Sequence, residues 1–438
     1  MSSCRIRVMV RRTNSIFFFM LLSGLFALAQ NEGKAGQTYK LLSIHVKGLT
    51  HLSEEQVIKA TGLRLGQMAS EEDFKQALQK LGETGFFSNL SYSYRYSSAG
   101  CNVDFQVEEG GKFLSIEFDN FVWFSDQELL DLLRARVPLF EAQLPTSGSM
   151  PDQVSDALSA VLAERKIPGE VQYLESAELN GPIASFVYKV GFHSVTIRGL
   201  DFPGASPSEV LALQAAAKQV VGKDYLRSAM REQEKFSLMP VYLARGYLKA
   251  AFADSRPTIV QDGPQTVVDV SFPVTPGIQY KLSQLEIGGY RAFPVEPLRN
   301  LIHLKPGEPA NAVQLEDDLR AVQKLYGTKG YLTAQVRVEP TMDDAPATVS
   351  YHLEVIEGDQ YHMGDLKIDG LPEDATERVT RQWQLKKGDV FDESYLGRFL
   401  GSPFTDANLQ RRYSVVPKEE IDQQGKNVTV LLHFVPKS

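Results

Sequence analysis

The stretch Tyr39-Lys-Leu-Leu-Ser-Ile-His-Val-Lys-Gly48 alternates apolar and polar residues and ends at a glycine. Alternation with a period of two is typical of a strand with one buried face, and glycine suits the turn that follows it. The pattern returns at intervals of roughly 80 residues, a spacing typical of tandem modules. The four later stretches are Lys112-Phe-Leu-Ser-Ile-Glu-Phe-Asp119, Phe192-His-Ser-Val-Thr-Ile-Arg-Gly199, Tyr280-Lys-Leu-Ser-Gln-Leu-Glu-Ile-Gly288 and Tyr361-His-Met-Gly-Asp-Leu-Lys-Ile-Asp-Gly370.

The residues after Gly48 predict two helices and two further strands. Ser53 with Gln56, and Ser70 with Asp73, have the spacing of capping boxes at two helix starts. Beyond the second predicted helix, alternation returns twice, as expected for two strands. The second strand runs through Leu90, Tyr92, Tyr94 and Tyr96, and the third through Val103, Phe105 and Val107.

The repeat therefore predicts an α+β fold of five tandem β-α-α-β-β domains, each a three-stranded mixed sheet covered on one face by two helices. We expect a signal peptide over residues 1–29 and domains over 39–110, 111–191, 192–278, 279–359 and 360–438, called repeats 1 to 5 below. Repeats 1, 3 and 4 have the clearest pattern. Repeat 2 has a Pro-, Ser- and Gly-rich stretch over residues 138–151, and repeats 2 and 5 are expected to have weakened second helices. The joints between repeats are short and contain glycine, so we expect limited hinge motion.

The N-terminus has the features of an export signal. Arg5, Arg7, Arg11 and Arg12 precede the apolar stretch 16–28, and Ala29 before Gln30 fits the small-residue rule for cleavage. Cleavage would remove four positive charges from a chain whose net charge is already −8, which argues against binding nucleic acid. It would also leave Cys101 as the single cysteine. We expect a mature chain that does not span the membrane, and an uncleaved N-terminal anchor is the alternative.

The repeat resembles a known domain. A β-α-α-β-β unit of this length, with Gly48 after the first strand, a Leu-x-x-Gly turn such as 304–307, and Gly-Tyr or Gly-Phe before the second strand, resembles the POTRA (polypeptide-transport-associated) domain. Five in tandem behind a signal peptide resemble the periplasmic part of the outer-membrane barrel-assembly insertase family. The resemblance implies a periplasmic scaffold, associated with the outer membrane through partners, that binds unfolded outer-membrane or secreted polypeptides and lipoproteins.

In that family a transmembrane barrel follows the last repeat, whereas the given sequence stops with repeat 5 at Ser438. We therefore expect the client-binding half of the family's function, with any barrel supplied as a separate partner. Two alternatives stay open. One is an envelope or cell-division scaffold held by an uncleaved N-terminal helix, and the other is a truncated insertase that lacks its barrel.

The resemblance implies that clients add as strands to the second strand of a repeat, here residues 91–96 and 334–338. Backbone pairing of this kind accepts many sequences. The candidate residues are Tyr92, Tyr94, Tyr96, Ala334, Val336 and Val338. The three tyrosines share one strand face, and they either pack beneath the helices or form an outward aromatic patch. Trp123 either fills a core or an inter-domain joint, or docks a partner, and the same alternatives apply to Trp383.

No catalytic or cofactor-binding constellation is found in the sequence. The seven histidines are scattered, and His352 and His362 lack the partners and spacing of a zinc site. Phosphate-cradling glycine loops and a Gly-x-Ser-x-Gly elbow are also missing from the sequence. We therefore expect a binding protein without enzyme activity, cofactor or metal.

Overall fold

The structure is a computed structural model that describes residues 37–177, 182–401 and 407–437. The expected signal peptide, with its cleavage point at Ala29 and Gln30, lies outside the described residues. The chain divides into two compact units, which are described separately. The first comprises Met1–Lys112 with Pro145–Ser149, and the second comprises Phe113–Leu144 with Met150–Ser438.

Repeat 1 forms the four-stranded sheet β2-β1-β4-β3 with two helices. Its long strands are mixed, since β1 pairs with β4 in parallel and β3 pairs with β4 in antiparallel fashion. The predicted β-α-α-β-β order is confirmed, with one short extra strand between the helices. The elements are β1 (Tyr39–Lys47), α1 (Glu54–Thr61), β2 (Met68–Ala69), α2 (Glu71–Glu83), β3 (Phe87–Ser97) and β4 (Gly100–Glu109).

Local chemistry explains where the helices of repeat 1 begin and end. Ser53 and Ser70 each close a capping box, with Gln56 and Asp73 respectively. Because the free N–H groups of the first helical turn are satisfied in this way, each helix starts at a fixed residue. Gly62 ends α1 in the left-handed conformation, at φ 75°.

Gly48 cannot be replaced by a larger residue without a clash. It has φ 93°, and a Cβ placed there would lie 2.0 Å from the carbonyl oxygen of Val107 at the end of β4. Gly289 and Gly370 meet the end of the third long strand of their repeats in the same way, with Cβ distances of 2.3 and 2.0 Å to the carbonyl oxygens of Val355 and Phe434. The glycine that directly follows the first strand of these three repeats therefore lets the chain cross closely over the neighbouring strand.

Repeats 2 and 3 have sheets of the same mixed kind, ordered β6-β5-β8-β7 and β11-β12-β9. Repeat 2 contains β5 (Phe113–Phe118), α3 (Asp126–Arg136), β6 (Gln143–Pro145), α4 (Met150–Glu164), β7 (Glu170–Ala177) and β8 (Ile183–Gly191). Repeat 3 contains β9 (Val195–Asp201), α5 (Pro207–Ala216), α6 (Arg227–Gln233), α7 (Met239–Leu243), β10 (Ala251–Phe252), β11 (Arg256–Gln261), β12 (Thr266–Ser271) and β13 (Val274–Thr275). A 3₁₀ turn (Lys218–Val220) follows α5, and a π-helical turn (Glu234–Leu238) joins α6 to α7.

Repeats 4 and 5 have sheets ordered β14-β16-β15 and β17-β19-β18. Repeat 4 contains β14 (Lys281–Gly288), α8 (Val295–Arg299), α9 (Ala312–Gly327), β15 (Gln335–Asp343) and β16 (Thr348–Ile356). Repeat 5 contains β17 (His362–Asp369), α10 (Glu373–Gln382), α11 (Glu393–Gly401), α12 (Ala407–Arg412), β18 (Tyr413–Asp422) and β19 (Asn427–Pro436). The α+β class and the mixed sheets are confirmed, while the domain boundaries stay a prediction.

The expectation of a weakened second helix in repeat 2 is wrong. Helix α4 has 15 residues, and Val154, Leu158 and Leu162 on its inner face are fully buried. The preceding stretch is not simply a loop either, because Leu144 in β6 is buried against the core. Repeat 3, which has a clear sequence pattern, instead carries the irregular helix, since a π turn interrupts it.

Each sheet buries one face beneath its helices. In repeat 1, Phe74 and Leu81 of α2 are buried, as are Val103 and Phe105 of β4. Burial of such apolar side chains contributes roughly 1.5–3 kcal/mol each. Among the described residues, no helix is both long enough and apolar enough to cross a membrane.

Candidate functional site

The second long strand of every repeat lies at the edge of its sheet. The strands concerned are β3, β7, β11, β15 and β18, and within the described chain each has a hydrogen-bonded neighbour on one side only. An edge strand presents unpaired N–H and C=O groups that can template another strand. The sequence-predicted edges, residues 91–96 and 334–338, therefore lie where backbone pairing is geometrically open.

Four of these edges carry features that discourage pairing. Strands β11, β15 and β18 contain Pro257, Pro340 and Pro417, each facing a residue of the neighbouring central strand. Proline has no N–H group and is tolerated in a strand only where that group would face away from the partner strand. Each of these edges is therefore missing one outward donor. Strand β7 has no proline, but it is eight residues long and carries Glu170 and Glu175.

Strand β3 is the least protected edge. It has eleven residues, with the sequence FSNLSYSYRYS, no proline, and Arg95 as its one charged residue. The two-residue turn at 98–99 joins it to β4, with Ser97 opposite Gly100. Pairs in such a hairpin alternate between bonded and non-bonded, starting from a bonded closing pair. The N–H and C=O groups of Tyr92, Tyr94 and Tyr96 therefore point to the open edge.

The side chains of these three tyrosines lie on the helix side of the sheet, not on the outward face. The rings of Tyr92 and Tyr94 lie 6.1 and 5.5 Å from that of Phe74 in α2. The Tyr94 hydroxyl donates a 3.0 Å hydrogen bond to Glu71. Burial, followed by this hydrogen bond to the Glu71 carboxylate, raises the pKa of Tyr94 to about 12. Tyr92 and Tyr94 are half-buried and secure β3 against α2.

Tyr96 is placed differently. Its ring stacks on Tyr39 at 5.0 Å, and 39% of the residue's surface is exposed. The three rings follow one another at 6.4 and 6.5 Å. The three tyrosine side chains therefore become more exposed along the strand, from Tyr92 at the core to Tyr96, and they lie beside the free backbone edge.

In repeat 4, Val336 and Val338 also point to the helix side and pack against the core. Ala334 precedes β15 and lines a cavity of about 930 Å³, together with residues of α9 and α11. The candidate residues of this edge therefore divide between core packing and a cavity wall.

Trp123 lies in the contact between repeats 2 and 3. Its indole N–H donates to the carboxylate of Asp262 at 3.2–3.3 Å, and its ring lies 5.6 Å from that of His193. It also packs against the core of repeat 3. This position matches the joint interpretation of Trp123.

Trp383 has a structural position within repeat 5. It caps α10 instead of lying within it, packs against Tyr395 and Phe399, and donates to the carbonyl of Leu385. Its position matches the core interpretation.

Sequence reasoning missed a carboxylate that secures repeat 1. Glu109, the last residue of β4, accepts hydrogen bonds from the Thr50 hydroxyl and from the N–H groups of Thr50 and Leu52 at 2.6–3.1 Å. Burial alone would raise the pKa of Glu109, but these hydrogen bonds lower it to about 2. Glu357 holds the N–H groups of Arg291 and Ala292 in repeat 4 in the same way. The Glu-Gly pair that ends both repeats is the signal that could have indicated this role.

The metal-free expectation stays a prediction. Across the described ranges, no group of three or more His, Cys, Asp or Glu side chains is placed to hold a metal ion. Cys101 is buried and has no disulfide partner there.

Comparison with known families matches two of the repeats to a family model. The POTRA family model, described as "Surface antigen variable number repeat", matches residues 39–110 and 280–358, which correspond to repeats 1 and 4. Residues 39–110 and 280–358 are therefore POTRA domains by this match, and the resemblance drawn from the sequence is confirmed for them.

The relatives carry names from outer-membrane assembly. A Treponema pallidum (strain Nichols) protein named as an outer membrane protein assembly factor is 24% identical over 433 residues, which cover 95% of this chain and 50% of that protein. The outer membrane protein assembly factor BamA of Buchnera aphidicola is 20% identical over 432 residues, covering 93% of this chain and 66% of that protein. The chain thus spans about half to two thirds of the length of these relatives. A solved structure of Haemophilus influenzae BamA POTRA3-5 covers 56% of this chain at 22% identity, with a TM-score of 0.43.

Proposed function

We propose that the chain is a periplasmic scaffold that binds extended segments of client polypeptides during outer-membrane protein assembly or secretion, by strand addition to its sheet edges. The observation that carries the proposal is the open edge of β3, eleven residues long and free of proline. The names of the relatives support a role in outer-membrane protein assembly. The scaffold would act through partners, among them unfolded outer-membrane polypeptides and lipoproteins.

Backbone pairing suits a client set of many sequences. Tyr92, Tyr94 and Tyr96 together offer three N–H and three C=O groups at the free edge, and each net hydrogen bond contributes roughly 0.5–1.5 kcal/mol. Part of that gain is offset by the ordering of the client segment. The expected complex is therefore weak and transient, as a carrier of unfolded chains requires.

The helix-side tyrosines add a preference to this pairing. A strand added beside β3 would place alternate side chains next to the rings of Tyr92, Tyr94 and Tyr96, because side chains on neighbouring strands interact across a shared face. Tyr96 is the most exposed of the three and is the best placed for such contact. We expect clients with alternating apolar or aromatic residues to bind best.

Hydrogen exchange of the intact chain tests the mechanism. A synthetic ten-residue peptide with alternating apolar residues should slow exchange at the amides of Tyr92, Tyr94 and Tyr96. The amides of Ser91, Ser93 and Arg95 already bond to β4 and should change little. A peptide of the same composition with proline at alternate positions is the control, because it cannot pair along an edge.

The pattern of protection decides the outcome. Slowed exchange at the three tyrosine amides with the alternating peptide alone supports strand addition. Binding of the peptide without protection at these amides would contradict it. Protection confined to amides of β7, β11, β15 or β18 would retain strand addition but reject β3 as the main edge.

A further inference from the structure

The free edge of β3 is complementary to a second copy of itself. The backbone groups that point to this edge belong to alternate residues, because the residues between them bond to β4. The edge-facing residues are Leu90, Tyr92, Tyr94 and Tyr96. Since they are evenly spaced, a second β3 strand that runs in the opposite direction can meet each of them. Strand β3 of another copy of this chain therefore fits the edge geometrically.

One register of the two strands uses all of these positions. It places Ser93 opposite Ser93 of the second copy, on a twofold axis. Tyr92 then lies opposite Tyr94, and Leu90 lies opposite Tyr96, once on each side of the axis. Each such pair exchanges both of its N–H···O=C bonds, because both members direct their backbone groups to the partner strand. Their side chains share the helix side of the sheet, so apolar and aromatic groups face one another.

The single charge of β3 does not oppose this register. Arg95 lies on the face of the sheet away from the helices, where it is 3.7 Å from a carboxylate oxygen of Asp104. In the register centred on Ser93, it lies opposite Ser91 of the second copy. The two Arg95 residues are then four residues apart along the strands, about 13 Å, which exceeds the screening length at physiological salt.

Helix α2 carries a pair of opposite charges beside the same edge. Glu71 accepts a 3.0 Å hydrogen bond from the Tyr94 hydroxyl and lies 3.1 Å from the Lys75 ammonium group. Lys75 lies one turn farther along α2 and interacts electrostatically with Tyr92. The side chains of Glu71 and Lys75 are 42% and 55% exposed. Both charges are therefore available to a neighbour that pairs with β3.

The two α2 helices would complement each other in the register centred on Ser93. Because Tyr94 lies opposite Tyr92 of the second copy, Glu71 of each copy comes level with Lys75 of the other. There is also room for both helices. Repeat 1 covers four strands with two helices. Two strand spacings, about 9.6 Å, match the distance of 8–10 Å at which helices pack.

We propose that two copies of the chain associate through β3 of repeat 1, antiparallel and centred on Ser93, into a dimer that covers the open edge. Strands β11, β15 and β18 are less suited, because each lacks an edge-facing donor at a proline. An uncovered edge is a site of unspecific pairing, and a specific dimer removes that hazard. The dimer requires only the free edge. Its further consequence, that clients displace the second copy, rests on the proposed function.

Sedimentation and hydrogen exchange of the full chain test the dimer. The parent chain should change from monomer to dimer as its concentration rises, with slower exchange at the amides of Tyr92, Tyr94 and Tyr96. Tyr94→Pro removes one donor from each copy, so dimerisation should weaken about a hundredfold. Val415→Pro, on the edge of β18, is the control and should leave dimerisation unchanged. A chain that stays monomeric at every concentration, or a dimer that Tyr94→Pro does not weaken, would overturn the proposal.

Changes to the charges of α2 separate the interface from the folding of each chain. Glu71→Lys and Lys75→Glu each bring like charges level with one another in the homodimer, so each should weaken dimerisation about tenfold. An equimolar mixture of the two variants restores opposite charges across the axis and should dimerise as readily as the parent. Homodimers that neither change weakens, or a mixture that stays monomeric where the parent dimerises, would contradict this interface.

Competition with a peptide distinguishes the dimer from the proposed function. The alternating peptide should dissociate the dimer, because both occupy the edge of β3, whereas the proline-containing peptide should not. A dimer that persists in excess alternating peptide would support self-pairing and count against client addition at β3. Peptide binding at β3 in a chain that never dimerises would support client addition and reject the dimer.

Discussion

Strands β3 and β18 occupy the same position in repeats 1 and 5, but their sequences treat the open edge in opposite ways. Both are long, eleven and ten residues, and both pair with a central strand on one side. Strand β3 carries one charge and no proline, whereas β18 contains the run Pro417-Lys418-Glu419-Glu420. Proline and charge on an edge discourage the addition of further strands.

Glu419 is the most informative residue of this contrast. It is half-buried and shares the helix-facing side of β18 with Tyr413 and Val415. Burial, and then the nearby charge of Glu393, raise the pKa of Glu419. An inward-pointing charge of this kind resists pairing because an added strand would desolvate it further. One topology therefore yields an open edge or a guarded edge, according to a few residues.

The largest effect is expected on the stability of repeat 1, the repeat that carries the open edge, when Glu109 is changed. Glu109→Gln should lower the local stability of repeat 1 by about 2–3 kcal/mol at pH 7, because the pKa of Glu109 is held near 2 in the fold. This stabilisation is fully present above the ordinary pKa near 4.5 and is lost as the pH falls through about 2. Exchange of β4 amides at pH 7 and pH 3 measures it. The exposed neighbour supplies the control Glu108→Gln, and equal effects of the two changes would reject the role of Glu109.

The next effect concerns client binding at β3. Tyr94→Pro removes one outward N–H group and restricts the strand, so affinity for the alternating peptide should fall about tenfold, equivalent to about 1.4 kcal/mol. Tyr94→Ala removes the same ring but keeps the donor. Fluorescence anisotropy of a labelled peptide separates the two variants. If Tyr94→Ala weakens binding as much as Tyr94→Pro does, the ring and not the backbone edge carries the affinity.

The converse change should open the guarded edge. Pro417→Thr with Glu419→Thr restores one outward donor and removes the inward charge of β18. The alternating peptide should then protect β18 amides from exchange, with an affinity gain of several-fold over the parent. Pro417→Thr alone should gain less. A double variant that leaves β18 unprotected would show that its surroundings, and not these residues, keep the edge closed.

The strands and helix starts of repeat 1 could be predicted from the sequence, but the side of the sheet that each strand face occupies could not. Alternation predicted the strands, and the capping boxes at Ser53 and Ser70 predicted both helix starts of repeat 1. Alternation also placed Tyr92, Tyr94 and Tyr96 on one face. It could not say which face lies beneath the helices, since both faces have the same period.

The sequence also could not predict which strands pair with one another. That β3 and β18 are edges follows from the parallel contact of the first long strand with the last, which joins residues far apart in the chain. Glu109 illustrates the same limit, because its partners lie 57 to 59 residues away. In repeat 2, the stretch rich in Pro, Ser and Gly led to the expectation of a weakened helix. Helix α4 is nevertheless well packed, because the burial of Val154 and Leu158, and not the local composition, decides its stability.

The smallest effect is expected on the stability of repeat 5, when the charge of Glu419 on the guarded edge is removed by substitution or by low pH. Glu419→Gln should stabilise repeat 5 at pH 7 by a few tenths of a kcal/mol, because solvent at the edge screens the repulsion from Glu393. A raised pKa means that the folded state favours the protonated form. The destabilisation by the charge is therefore present at neutral pH and disappears as the pH falls below the ordinary value of 4.5.

The neighbouring change Glu420→Gln is the control and should change the stability in the opposite direction, because the hydrogen bond from Lys418 lowers the pKa of Glu420. Calorimetry at pH 7 and pH 4 compares the two variants. A gain from Glu419→Gln that is equally large at both pH values would show that the carboxylate charge does not guard β18.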